Sequence, residues 1–401
     1  MKYLTILGDG MADEPIDALG GKTPLMAAHT PMMDTLAARS EIGLAATIPD
    51  GMNPGSDTAN LAVLGYDPRA SYTGRSPLEA LSIGVDMKPD DIALRCNLVT
   101  LSGEPGLAYS ERTILDHSSG EISTEDAAVL LDVLRREFAS ETYQFYVGTS
   151  YRHLLLWAGG EVLDLSQPHD HLGEVIGAYL PEDQMLRHMM ERSFELLDNH
   201  PINVERAKKG LNKANSAWFW GAGTRPSLAD FTEKTGKRGA MISAVDLLKG
   251  IAVGTHMQVM DVPGATGGLH TDYHGKAQAA VQALCEDGND FVYVHIEAPD
   301  EMGHQGSVER KVQAIEYLDD RIIRPIYEAL SARGVEFRML VMPDHPTPIR
   351  VRTHTAAPVP YLLYDSRKAL GSFPSYDEAA GASSGVFYPE GYRLAAHLFS
   401  E

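Results

Sequence analysis

Three apolar runs constrain this chain most: YLTIL (residues 3–7), FVYVHI (291–296) and RMLVM (338–342), which stop against Gly8, Glu297 and Pro343. Each is too short for a stable isolated helix and lacks the alternation of a strand with one wet face. Such runs fit strands buried on both sides. Helical patterns lie between them, at 276–285 and 307–329. Buried strands alternating with helices predict an α/β fold with a largely parallel sheet. In such sheets, sites form just beyond the carboxyl ends of the strands.

Three polar stretches occupy those strand ends. GDGMAD places Asp9 at the tip of the first strand, and EAPDEMGHQG places Asp300 and His304 four residues apart, one helical turn. MPDHPTPIRVRTHT supplies Asp344 and His345 side by side, with His354 nine residues on. Each residue alone has an ordinary reading as a turn, cap or core residue. Together they form a mixed carboxylate and imidazole set, large enough for two divalent ions of the Zn²⁺ or Mn²⁺ kind, with Mg²⁺ a further candidate.

The segment NPGSDTANLAVLGYD (53–67) adds a serine. Pro54 and Gly55 break the chain, and the Ala/Leu/Val spacing after Asp57 fits a buried helical stripe. Ser56 can cap that helix. From this stretch alone the cap is the favoured reading, but Ser56 can also be a nucleophile, since a helix N-terminus favours a phosphoryl group and a bound metal ion would lower the hydroxyl pKa.

The formal charge of −21 disfavours nucleic acid and anionic membranes as partners. A small anionic substrate then requires local positive charge, which bound cations would supply. Two cysteines, Cys96 and Cys285, make no disulfide framework, and no apolar run is long enough to span a bilayer. The opening apolar stretch is too short for a signal peptide and has no small-residue cleavage site. A cytoplasmic location is expected. GGKT at residues 20–23 imitates the end of a P-loop, but Ile16 stands where the first glycine is needed. Gly55–Ser56–Asp57 also lacks the surrounding glycines of a nucleophile elbow.

Between residues 101 and 170 the texture changes to hairpin-like turns, a helix at about 125–139, and strand candidates YQFYVG and HLLLW. This predicts a smaller α+β insertion at 96–184, inside a catalytic domain formed by 1–95 and 185–401.

With these residues assembled, the chain resembles the alkaline phosphatase superfamily and, within it, the archaeal-type cofactor-independent phosphoglycerate mutases. The motifs that carry the resemblance include GDGMAD, PGSDTANLAVLGYD, YTGRSPLEA, YRHLLL, PHDH, ANSAWFWGAG, GAMISAVDLLKGI, GATGGLHTDY, APDEMGHQG and DHPTPIRVRTHT. The resemblance implies an alkaline-phosphatase-like α/β fold with an inserted lid domain. It implies one metal held by Asp300, His304 and His354, and another held by Asp9, Asp344, His345 and the Ser56 oxygen. Ser56 would carry the phosphoryl group between 3-phosphoglycerate and 2-phosphoglycerate, with no 2,3-bisphosphoglycerate. Arg152, His153, His169 and Asp170, from YRHLLL and PHDH, would bind the substrate in the lid. Two departures stand out: Gln305 follows His304, and Ala357 occupies a position that is usually acidic. The alternatives are a homoserine kinase-like phosphotransferase of the same family and a metal-dependent phosphatase. A degenerate binding protein is disfavoured, because every metal and nucleophile position is filled by a competent residue.

Overall fold

The computed structural model describes residues 1–400 and divides the chain into two compact units. One comprises residues 1–72 and 227–401, the other residues 73–226.

The first unit is built on an eight-stranded sheet. Its central strand, Lys2–Gly8, pairs in parallel with Phe291–Ile296 on one side and Phe337–Met342 on the other. Gly239–Ile242 and Gln258–Val259 extend the parallel block beyond Phe291–Ile296. Beyond Phe337–Met342 the sheet turns antiparallel through Val359–Asp365 and Glu41–Ala45, and Phe387–Tyr388 forms the edge. The three runs read from the sequence are therefore adjacent strands, buried along nearly their whole length. Parallel register delivers their carboxyl ends to one edge of the sheet, and so delivers Asp9, Asp300 and Asp344 together.

The helical pattern at 307–329 is one rod with a defect. Val308–Leu318 passes through a π-helical turn, Asp319–Ile323, into Arg324–Ala332. Within that turn the buried Asp319 carboxylate accepts the N–H groups of Met32 and Met33 at 3.0 and 2.6 Å. These open the helix Pro31–Ala37 and would otherwise lack partners.

The second unit is a five-stranded antiparallel sheet. Its long strand Asp91–Leu101 pairs with Arg152–Ala158 on one edge and Ser216–Thr224 on the other. Helices Thr124–Phe138 and Gln184–Leu197 bury their apolar faces in the core of this unit. The unit is wider than the expected insertion at 96–184. Asp91–Leu101 starts before residue 96, and its partner Ser216–Thr224 lies well past residue 184, so a cut at either place would split a hydrogen-bonded sheet. No helix among the described residues is long and apolar enough to cross a membrane.

Candidate metal centre

Ser56 opens the helix Ser56–Val63, but Gly55 is the capping residue, and its extended backbone makes no side-chain cap. The serine hydroxyl is thus not engaged in capping. Its Oγ lies 3.1 Å from Nε2 of His345. Asn60, one turn on, holds the arrangement in place. Its amide donates to the Ser56 carbonyl at 2.8 Å and to Asp344 Oδ2 at 2.9 Å, while its oxygen accepts from the Tyr293 hydroxyl.

Around this serine the structure gathers two sets of ligand atoms, each within 4.8 Å of one another: Asp300, His304 and His354, and Asp9, Asp300 and His345. The first set is the one expected from the sequence. The second differs, because Asp300 belongs to both. Asp344 stands beside it, with Oδ2 3.4 Å from His345 Nε2. The Asp344 carboxylate already accepts the N–H groups of Gly10 and His345 and the Asn60 amide. Gly10 is at φ +57°, and a side chain there would collide with Asp300 and Thr347, so this glycine lets the loop after Asp9 close onto its neighbours.

Several observations fit a metal. Asp9 Oδ1 is buried and has no hydrogen-bond partner, which is costly for a polar atom unless something binds it. His304 Nε2 and His354 Nε2 face each other at 3.0 Å, and both stand near Asp300, at 3.2 and 3.4 Å. His304 Nδ1 lies 2.9 Å from the Arg352 carbonyl. A carbonyl only accepts, so it fixes the proton on Nδ1 and leaves the Nε2 lone pair for a ligand. Asp300 also accepts from the Thr347 hydroxyl.

The electrostatics agree. Burial and then the carboxylates of Asp344 and Asp300 push Asp9 well above its ordinary range. Two carboxylates within 4.8 Å, such as Asp9 and Asp300, repel by on the order of 3 kcal/mol at an effective dielectric of about 20. Burial works against ionised Asp300, but its hydrogen bonds to His304 and His354 outweigh that and hold it well below the usual range. The same contact lifts His304 to about 9. Burial lowers His345, and lowers His295 to about 3. A divalent cation would replace this borrowed protonation with fixed positive charge.

Some residues of the centre were missed in the sequence. His295 Nε2 lies 2.9 Å from Asp9 Oδ2. The signal was a histidine inside an otherwise apolar run. Asn60 sits likewise in an apolar helical stripe. Lys311 is fully buried, and its Nζ donates to the Ala12 carbonyl, Asp13 Oδ2 and the Thr347 carbonyl at 3.3, 2.8 and 2.8 Å. All three of its protons are used, tying the loop after Asp9 to the loop after Asp344. Gln305 donates to Glu301 at 2.9 Å.

In the second unit, Arg152 opens the strand Arg152–Ala158 opposite Asn97. His153 is the next residue, and strand pleating sends it to the other face. It is buried, its Nδ1 accepts from the Gly148 N–H at 3.2 Å, its Nε2 has no partner, and burial lowers it to about 4. Arg152 and His153 therefore do not line one surface. His169 and Asp170 are exposed on the turn Pro168–His171, with the His169 ring 5.5 Å from Trp220 and 5.9 Å from His117. Arg95 lies over Trp220 at 4.8 Å while it pairs with Glu79 through two 2.7 Å bonds. Burial, then His117, Arg95 and Arg75, lower His169 against the opposing pull of Asp170.

Residues 37–203 match the family described as 2,3-bisphosphoglycerate-independent phosphoglycerate mutase. A protein of that name from Methanosarcina mazei is 48% identical, over 92% of this chain and 91% of its own. Another, from Methanothrix thermoacetophila, is 43% identical over 100% of both chains. Among solved structures, a Pyrococcus horikoshii protein superposes with a TM-score of 0.81 at 30% identity, covering 100% of this chain and 98% of its own.

Proposed function

The chain belongs to the 2,3-bisphosphoglycerate-independent phosphoglycerate mutases, which are isomerases, and from that membership we propose that it interconverts 3-phosphoglycerate and 2-phosphoglycerate through a phosphoserine at Ser56. The observation that carries the reading is the Ser56 hydroxyl, released from capping and set 3.1 Å from His345 beside the unpartnered Asp9 Oδ1. Ser56 Oγ gives up its proton and attacks phosphorus, an Oγ–P bond forms, and the bond from phosphorus to the glycerate oxygen breaks, that oxygen taking up a proton as it leaves. The other glycerate hydroxyl then takes the group back in line and frees the serine. The opening turn of Ser56–Val63 favours the phosphoryl oxygens through its backbone N–H groups. Asn60 keeps the serine backbone and Asp344 in register throughout.

We assign Asp300, His304 and His354 to one divalent ion, and Asp9, His345, Asp344 and the Ser56 oxygen to a second, with Asp300 close enough to serve both. The oxygen and imidazole donor set suits Mn²⁺ or Zn²⁺. Bound ions would lower the serine pKa and neutralise the charge that builds on the transferring group. In the second unit, Arg152, His169 and Asp170 are assigned to the glycerate carboxylate and hydroxyl groups, supported by the fit of a guanidinium to a carboxylate. Its burial makes His153 a brace for the strand turn at Gly148.

Phosphorus NMR on Mn²⁺-loaded protein tests the reading in two tubes, one with 3-phosphoglycerate and one with ATP and homoserine. The expected result is 2-phosphoglycerate in the first tube only, with the rate reduced at least about 10³-fold in Ser56→Ala, as for loss of a nucleophile. Phosphohomoserine without isomerisation would replace the mutase by a kinase, and free phosphate would replace it by a phosphatase.

A further inference from the structure

Asp9 is held from behind by a chain of groups that none of the assigned roles includes. The strands Lys2–Gly8 and Phe291–Ile296 pair with Leu7 opposite His295, and the Asp9 N–H continues the ladder to the Ile296 carbonyl at 2.9 Å. Asp9 and His295 consequently project from the same face of the sheet, and His295 Nε2 meets Asp9 Oδ2 at 2.9 Å. The other ring nitrogen, Nδ1, is 3.1 Å from the Ser243 hydroxyl. That hydroxyl in turn accepts the Val245 N–H at 3.0 Å. The His295 carbonyl accepts from the buried Lys276 ammonium at 3.1 Å.

An ionised Asp9, as a metal ligand is, can only accept at Oδ2, so Nε2 of His295 is the ring nitrogen that donates and Nδ1 is left to accept. Ser243 Oγ accepts from the Val245 N–H and has its own proton for His295 Nδ1. With Nδ1 accepting, the ring proton sits on Nε2 and points at Asp9 Oδ2. One Asp9 oxygen is thereby engaged, which holds the orientation of the carboxylate. The other, Oδ1, is left buried without a partner, 3.4 Å from His345 Nε2. The chain thus selects which oxygen the site receives.

We propose that Ser243 and His295 form a positioning relay that fixes the histidine tautomer and aims Asp9 Oδ1 at a divalent cation. Neither residue touches the substrate. Hydrogen-bonded partners behind metal ligands typically change metal affinity by about 10–100-fold when removed. The inference rests on the metal reading above, and its test separates the two.

Mn²⁺ binding is titrated by electron paramagnetic resonance on metal-free full-length protein, comparing wild type with Ser243→Ala, His295→Phe and His295→Gln. Mutase turnover is followed in parallel at saturating Mn²⁺. The expected result is about 10-fold weaker binding at one site in Ser243→Ala, a larger loss in His295→Phe, and partial recovery in His295→Gln, whose amide restores a donor. Turnover should recover toward wild type as Mn²⁺ is raised, which damage to packing alone would not produce. Should His295→Phe fail to fold, Ser243→Ala decides, since it removes one hydroxyl from a position next to the sheet. Wild-type binding with unchanged affinity in a folded Ser243→Ala overturns the relay and leaves the metal reading standing. No Mn²⁺ binding by wild type overturns both.

Discussion

A single amide does much of the ordering at the residue scale. Asn60 has no chemistry of its own, but both ends of its side chain are committed: to Ser56 and Asp344 through its nitrogen, and to Tyr293 through its oxygen. Asn60, Tyr293 and Asp344 are fully buried, so removing the amide leaves the Tyr293 hydroxyl and an Asp344 oxygen without the partner they had. Unsatisfied buried groups cost about 1–3 kcal/mol each, more when charged. Asn60→Leu, similar in size but without the amide, is therefore expected to lower kcat by about 10²-fold, while the KM for 3-phosphoglycerate changes little. Steady-state kinetics at saturating Mn²⁺ check this. A rise in KM at constant kcat would place Asn60 in substrate binding instead. The reading of Asp9, Asp300, His304, Asp344, His345 and His354 as a cluster needed only their places at strand ends. Asn60 and His295 were hidden because a polar residue inside an apolar stripe or run looks like an interruption until its partners are known. The sharing of Asp300 between two ligand sets was hidden for another reason, since sequence order says nothing of distances below 5 Å.

Elements show where local pattern is sufficient and where it is not. The three apolar runs were legible as strands because burial on both faces leaves little room for polar residues, and the helix at 125–139 emerged within a residue or so, as Thr124–Phe138. The width of the inserted unit was not legible. Asp91–Leu101 finds its partner Ser216–Thr224 more than a hundred residues away, and antiparallel pairing leaves no local mark of so distant a partner. A short helix, Glu378–Ser383, offers a test at this scale. Glu378 accepts the Asp13 N–H at 3.1 Å and the Thr23 hydroxyl at 2.6 Å, and burial pushes it up to about 7. A carboxyl with a raised folded pKa binds its proton more tightly folded than unfolded. Its contribution to stability is present below about 4.5 and is lost as pH rises toward 7. The melting temperature of Glu378→Gln should therefore gain on that of wild type between pH 4.5 and 7.5, with parallel curves outside that window. Differential scanning calorimetry across this range reads the difference directly, and a constant offset would mean that Glu378 titrates normally.

Charge is the property of the whole molecule that the fold has to manage. The chain carries −21 formally, and its first unit gathers Asp9, Asp300 and Asp344 at one sheet edge, with Asp9 pushed up by burial and by the other two. Such a cluster is stable either by holding protons or by holding cations. Ions that bind only the folded state stabilise it by RT ln(1 + [L]/Kd), about 2.7 kcal/mol at a hundredfold excess over Kd. At about 2–4 °C per kcal/mol for a unit of this size, one site at that excess is worth roughly 5–10 °C. Chelation should therefore lower the melting temperature by about that amount, and Mn²⁺ but not a monovalent salt should restore it. Hydrogen exchange should locate the effect. The amides around Gly10, the start of Ser56–Val63 and His345 should lose protection on chelation. Those of Asp91–Leu101 and Arg152–Ala158, in the other unit, should not, because no assigned metal ligand lies in 73–226. Identical melting curves and exchange with and without chelator would mean that the carboxylates are stabilised by protons alone, and the two-ion reading of the centre would fall.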